Sequence, residues 1–376
     1  MRYRRFGKIN RQISVFSLGM MRCLASEETA IQTVQQAVSL GINHLETALT
    51  YGNSEQFLGA ALQSDLPMTR EDLIVSTKMR PAADAETMRQ QINQSLERLN
   101  LEYIDCLAIH GINTEEHLVL VQQKDGCMKA VKEAIALGKI RHLGFSTHGS
   151  SEIITAAINT DLFEFVNLHY YYFSQRHRGV IELASQKDLG IFIISPADKG
   201  GMLYTPSSTL RELCHPFTPL ELSYRFLLSD PRIATLSVGA AHPEELLAPL
   251  QTADQDFPLT AEEKAVFDRL ETHLAAKLGT DLCSQCHACL PCPENINIPE
   301  VLRLRNLAVG YDMTAYGEYR YRMFENAGHW FPGRKGNRCT DCGDCLPKCP
   351  QNLNIPELLR DTHDRLHGSE GRRLWE

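Results

Sequence analysis

The chain has 376 residues, 43% hydrophobic and 22% charged, with a formal net charge of −8; that composition belongs to a folded globular protein and excludes a disordered one. Lysine and arginine are not in excess, so nothing is present in number to neutralise phosphates, and a nucleic-acid partner is excluded. No apolar run approaches the roughly 20 residues of a membrane helix, and the basic start has no apolar stretch behind it, so neither a membrane segment nor a secretory leader is expected and the reading is cytoplasmic.

From about residue 13 to 250, short β-branched runs alternate with helical patterns, each pair punctuated by Gly, Asn, Asp or Ser. The runs predict strands at 13–18, 43–47, 73–77, 104–109, 142–146, 165–169, 190–195 and 235–238. Between the first two, residues 28–40 put Ile31, Val34, Ala37 and Val38 on one helical face, with Ser26 to cap the start and Gly41 to end it. Eight such βα units in about 250 residues fit an α/β chain closed as a TIM (β/α)8 barrel. An open doubly wound sheet is the rival. It would carry a glycine fingerprint after its first strand, where this chain reads Leu18-Gly19-Met20-Met21-Arg22.

Residues 260–278 predict one further helix, with Val266, Leu270, Leu274 and Leu278 at helical spacing, and Gly279-Thr280 marks a boundary. Two domains are expected, 1–278 and 279–376. The second contains a repeat: Cys289-Leu-Pro-Cys292-Pro-Glu-Asn-Ile-Asn-Ile-Pro299-Glu-Val-Leu-Arg303 recurs from Cys345 to Arg360, with Lys348 inserted. Pro299 and Pro356 suit the first turn of a helix, so each cysteine run is expected to lead into one. The segments 300–309 and 316–327 between the runs are also helix-prone.

Eight of the 12 cysteines crowd into this tail. Cys339-x2-Cys342-x2-Cys345-x3-Cys349-Pro350 follows the bacterial ferredoxin pattern for a [4Fe–4S] cluster, and Cys283-x2-Cys286-x2-Cys289-x2-Cys292-Pro293 departs from it by one residue. Paired CxxC motifs also bind zinc, so two zinc sites remain the alternative. The two runs resemble a two-cluster ferredoxin of the helical kind. That resemblance implies that Cys283, Cys286, Cys289 and Cys349 hold one cluster and that Cys339, Cys342, Cys345 and Cys292 hold the other.

The segment from Gly41 to Gly59, including Glu46, Tyr51-Gly52 and Ser54-Glu55, resembles the signature of the aldo-keto reductases. Ser76-Thr77-Lys78, Asp105 to His110, and Gly138 to Ser146 resemble it too, in family order and spacing. The resemblance implies a TIM barrel that binds NAD(P)H at the C-terminal strand ends and reduces a small carbonyl substrate to an alcohol. Tyr51 would be the general acid, Lys78 would lower its pKa, His110 would hold the carbonyl, and Glu46, where the family has Asp, would pair with Lys78. For the cofactor it implies Ser146 and Asn167 at the carboxamide, Ser195, Gly200 and Gly201 after the seventh strand, and Gly239 after the eighth. The loop after the eighth strand lacks the family's cation for a 2′-phosphate and carries Glu245, so no strong NADPH preference is expected unless an arginine such as Arg211 or Arg225 arrives from elsewhere. His148, His169 and the run from Tyr170 to Phe173 are expected to pack or to line the pocket. The alternative function is a redox sensor or electron-transfer protein whose barrel mainly binds cofactor or partners, with an external electron-transfer protein as a possible partner of the clusters.

Overall fold

The computed structural model describes residues 1–368. Eight parallel strands close into a barrel: β3 (Phe16–Gly19), β4 (His44–Glu46), β5 (Ile74–Met79), β6 (Ile104–His110), β7 (Ile140–Ser146), β8 (Phe165–Leu168), β9 (Gly190–Ile193) and β10 (Thr235–Val238), with β10 paired to both β9 and β3. The strands are buried along nearly their whole length because helices cover the outside and side chains fill the inside. Gly144 shows how tightly: a Cβ there would lie 2.5 Å from the Phe165 ring.

One expected strand divides. Residues 13–18 do not run straight, because Gln12–Ser14 (β2) pairs antiparallel with Tyr3–Arg5 (β1). The chain then turns at Val15, whose N–H reaches Arg2 and whose carbonyl takes the Leu236 N–H, and enters the barrel at Phe16. Phe6, Ile9 and Ile13 from this hairpin region pack with Ile74, Cys106, Phe165 and Phe192 in one buried cluster. The hairpin thus plugs the end of the barrel where the strands begin.

The helices start where side chains satisfy the first free N–H groups. Ser26, Asp84, Thr114 and Ser150 each accept from the backbone three residues on, and Thr260 with Glu263 forms a complete capping box. The expected helix at 28–40 is Glu27–Ser39, and that at 260–278 is Ala261–Leu278. In the tail, Ile298–Tyr311 and Ile355–Leu366 follow the two cysteine runs, each with its proline in the first turn, and Thr314–Met323 lies between.

Packing divides the described chain into two units, residues 1–200 with 223–258, and residues 201–222 with those from 259 to 368. This division falls on different residues from the family boundary expected at 278. Helix Ala261–Leu278 lies against Ile298–Tyr311 in the second unit, where Gly310 leaves no room for a Cβ beside Leu274 and the Tyr311 hydroxyl donates to the Leu270 carbonyl at 2.9 Å. No helix among the described residues is long and apolar enough to cross a membrane.

Candidate active site and cysteine cavities

Register carries the expected residues to one rim. Along the ladders Glu46 is level with Ser76, Lys78 with Ala108, His110 with Ser146, and Ser146 with Asn167. Glu46, His110 and Ser146 are therefore last in their strands, at the C-terminal ends where barrel sites form. Tyr51 joins them from the loop after β4, which is pinned to β5 by Thr47 N–H to Ser76 and Leu49 N–H to Lys78, and turned by Tyr51 N–H to the Ala48 carbonyl.

There the Lys78 ammonium pairs with Glu46, donates to the Thr47 carbonyl at 2.7 Å, and lies 3.4 Å from the Tyr51 hydroxyl. Burial works against the Lys78 charge, but Glu46 and Tyr51 outweigh it and hold the ammonium above its ordinary pKa. The His110 ring meets the Tyr51 ring edge-on, with centroids 5.7 Å apart at 83°. The extra methylene of Glu46 relative to Asp does not prevent the ion pair. Lys78 lowers the Tyr51 pKa as expected, but burial, which the sequence does not show, raises it by more and Glu46 adds to that, so the net shift is upward from 10.0. Thr47 was not expected at the site, since its contribution is a backbone carbonyl and no side-chain pattern announces that.

The expected cofactor residues divide. Ser146 and Asn167 are buried neighbours, and Asn167 Oδ1 has no hydrogen-bond partner among the described residues. A primary amide N–H would satisfy that acceptor, so the pair fits a nicotinamide carboxamide. Ser195 has a positive φ of 52° and accepts from Lys199 N–H, opening a tight turn to Gly200, where a Cβ would fall 2.0 Å from the Pro196 carbonyl oxygen. Gly201 belongs to the second packing unit, unlike the other five. The Gly239 carbonyl accepts from Arg22 at 2.7 Å, and the same guanidinium grips both oxygens of Glu245 at 2.7 and 3.2 Å. Arg22 comes from the loop after β3, and sequence spacing gave no sign of it. Arg225 does not serve there, because it is buried and donates to the carbonyls of Gln255, Phe257 and Pro258. At the ends of β7, β8 and β9, His148, His169, Tyr171 and the Ile194 carbonyl form a polar chain, with 3.2 Å between the two imidazoles and 2.5 Å from Tyr171 to Ile194.

In the second unit, two recesses collect the eight cysteines. One, of about 280 Å³, is lined by Cys283, Cys286, Cys289 and Cys349; the other, of about 360 Å³, by Cys292, Cys339, Cys342 and Cys345, with Cys289 also at its wall. The fourth cysteine of each run thus faces the other run's recess. Each recess offers four thiols, surrounded in the smaller by apolar groups, amides and His287 and in the larger by apolar groups, Thr340, Glu294 and Asp344, and four thiolates are the donor set that an iron–sulfur cluster takes. Burial pushes the Cys289 thiol up to about 12, and a cationic metal core is what such a thiol needs to deprotonate.

Comparison with known proteins agrees with both halves. The model of the aldo/keto reductase family matches residues 16–272, and that of the 4Fe-4S dicluster domain matches 282–353. An uncharacterized oxidoreductase, YqkF, of Bacillus subtilis is 24% identical over 291 residues, covering 68% of this chain and 92% of its own. The L-galactose dehydrogenase of Arabidopsis thaliana is 35% identical over 136 residues, which is 34% of this chain and 41% of its own. Among solved structures, the holo form of the aldo-keto reductase AKR11C1 from Bacillus halodurans superposes with a TM-score of 0.62 at 24% identity, over 72% of this chain and 96% of its own. The chain belongs to the aldo/keto reductase family and carries a 4Fe-4S dicluster domain C-terminal to the reductase region.

Proposed function

We propose that the protein is an NAD(P)H-dependent reductase of a small carbonyl compound, an aldehyde or a ketone, with two [4Fe–4S] clusters bound in its C-terminal domain. The observation that carries the reading is the buried chain from Glu46 through Lys78 to the Tyr51 hydroxyl, beside His110 at the C-terminal rim.

Ser146 and Asn167 would hold the carboxamide, and the turn from Ser195 to Gly200 suits a phosphate, since barrel phosphate sites are commonly built after strands seven and eight. When bound, the reduced nicotinamide supplies a hydride. Tyr51 is protonated at neutral pH because burial keeps its pKa high, and it gives that proton to the carbonyl oxygen. The phenolate left behind is stabilised by the Lys78 ammonium, itself fixed by Glu46 and the Thr47 carbonyl. Lys78 therefore acts less on the resting phenol than on the anion formed during transfer. His110 orients the carbonyl toward Tyr51.

The crossed sets of four cysteines would each hold one cluster, the reductase would span 1–278 and the cluster domain 279–376, in a reducing cell interior. An external single-electron carrier is the partner that suits the clusters, and the second reading, an electron-transfer or sensing protein, draws on the same two recesses. One anaerobic experiment separates the readings. NADH or NADPH is added with and without a generic aldehyde while nucleotide and cluster absorbance are followed. Aldehyde-dependent nucleotide oxidation supports the reductase; cluster bleaching by the nucleotide without aldehyde turnover supports the second reading.

A further inference from the structure

The two cysteine recesses come from one sequence repeat, so their charges can be compared position against position. Asp341 stands between Cys339 and Cys342 where the first copy has Gln285, and Asp344 precedes Cys345 where the first copy has Ala288. Glu294 follows Cys292-Pro293 where the second copy has Gln351. Because the fourth cysteines are exchanged, Glu294 and Asp344 line the same recess, that of Cys292, Cys339, Cys342 and Cys345. Gln285, His287 and Gln351 line the other.

Two of the three carboxylates have counter-ions, Arg360 on Asp341 at 2.6 Å and Arg334 on Glu294 at 3.4 Å. Asp344 has no ion pair among the described residues and remains a net negative charge at its recess. Lys348, the one insertion in the repeat, is exposed and lines neither recess. At the recess of Cys283, the Gln285 N–H donates to Cys283 Sγ at 3.4 Å, a bond that strengthens as the sulfur becomes more negative. Local charge and hydrogen bonds to sulfur are among the factors that set the reduction potentials of such clusters. The Asp344 charge and the Gln285 hydrogen bond act in the same direction.

We infer that the two recesses are electronically unequal, and that the first electron taken up settles in the recess of Cys283, Cys286, Cys289 and Cys349. The inference rests on the proposal that each recess holds a [4Fe–4S] cluster. One electron passes from a single-electron reductant to the protein, with no bond made or broken. Asp344 disfavours its arrival at Cys292, Cys339, Cys342 and Cys345, whereas the Gln285 N–H favours it at the other set.

The test is an anaerobic potentiometric titration of the whole protein with dithionite, followed by EPR and visible absorbance, on the wild type, Asp344→Asn and Gln351→Glu. Two reduction steps are expected. Asp344→Asn should raise the lower step and leave the upper in place, and Gln351→Glu should lower the upper step and leave the lower in place. A single step in the wild type, or either variant moving the opposite step, overturns the ordering while the cluster reading stands. A protein without about eight irons and eight sulfides overturns both.

Discussion

Lys78 and Tyr51 meet twice: the ammonium lies 3.4 Å from the hydroxyl oxygen and 4.6 Å from the centre of the ring. The hydroxyl contact is lost in phenylalanine and the ring contact is kept. Tyr51→Phe should therefore retain nucleotide binding while carbonyl reduction falls by about 10²–10⁴-fold, the range for a positioned proton donor. Lys78→Met should produce a loss of similar order, because the phenolate formed in transfer loses its counter-charge. Steady-state kinetics with a generic aldehyde and a separate binding titration check both; near wild-type turnover in Tyr51→Phe would sink the assignment.

The raised pKa of Tyr51 has a pH signature. An acid whose folded pKa lies above 10.0 keeps its proton throughout the neutral range, so the tyrosine itself should impose no fall in the reduction rate until the pH passes that value. A descending limb between pH 7 and 9 that disappears in Tyr51→Phe would show that burial does not govern this group.

His44 is enclosed in the barrel, with Ser17 on Nδ1 and Ser76 on Nε2, both at 2.6 Å. Burial, helped by Lys78, lowers its pKa to about 3. On unfolding, the ring returns to about 6.5 and takes up a proton, so its contribution to stability is complete above that value and is lost as the pH falls toward 3. Denaturant unfolding at pH 7 and pH 4 should show the wild type losing a few kcal/mol more than His44→Gln, on the order of the shift at about 1.4 kcal/mol per unit. Equal losses in the two proteins would remove the histidine from the account.

Arg22 is the guanidinium nearest in kind to what a nucleotide 2′-phosphate needs, but Glu245 occupies it with two oxygens, and the Ala241 N–H also goes to Glu245. NADH should bind at least as tightly as NADPH. Glu245→Gln should free the fork and shift the ratio of dissociation constants toward NADPH by about tenfold or more, since a charge-assisted hydrogen bond is worth about 1.5–3 kcal/mol. Fluorescence titration of both nucleotides decides it, and a wild-type protein binding NADPH a hundredfold tighter than NADH would refute the reasoning.

The exchange of fourth cysteines predicts which double variants lose one cluster and which lose two. Cys283→Ala with Cys349→Ala strikes one recess and should leave about four irons, whereas Cys283→Ala with Cys292→Ala strikes both and should leave almost none. Iron and sulfide analysis after anaerobic purification reads the difference. The reverse pattern, almost no iron with Cys283→Ala and Cys349→Ala and about four irons with Cys283→Ala and Cys292→Ala, would mean that each run serves its own recess.

What was legible in the sequence was what local pattern encodes. The alternation of β-branched runs and amphipathic stretches marks all eight barrel strands, and Ser26 and Gly41 bracket the first helix to within a residue. The break at Val15 was not legible, because residues 13–18 read as one apolar run and only pairing with Tyr3–Arg5 divides them. The Arg22–Glu245 pair joins two loops far apart in the chain, and neither end has a neighbour that betrays the other. The net upward shift of Tyr51 was not legible for a related reason: the lysine that lowers the pKa is visible as a motif, whereas burial of the phenol, which outweighs it, exists only after the barrel closes.

Neither packing unit is continuous along the chain, and this bears on how the protein emerges from the ribosome. By the time residues 1–200 have appeared, β3 still lacks β10, and residues 201–222, whose packing partners lie at 259 and beyond, come out before the closing strand does. The growing chain must therefore carry an open strand edge and an unpartnered helical insert together, and the barrel cannot be completed as a finished N-terminal module before synthesis moves on. Truncation at 258 would leave Ser208–Cys214 without the helices it packs among, so a soluble isolated reductase half is better sought by shortening that insert than by cutting at either end of it.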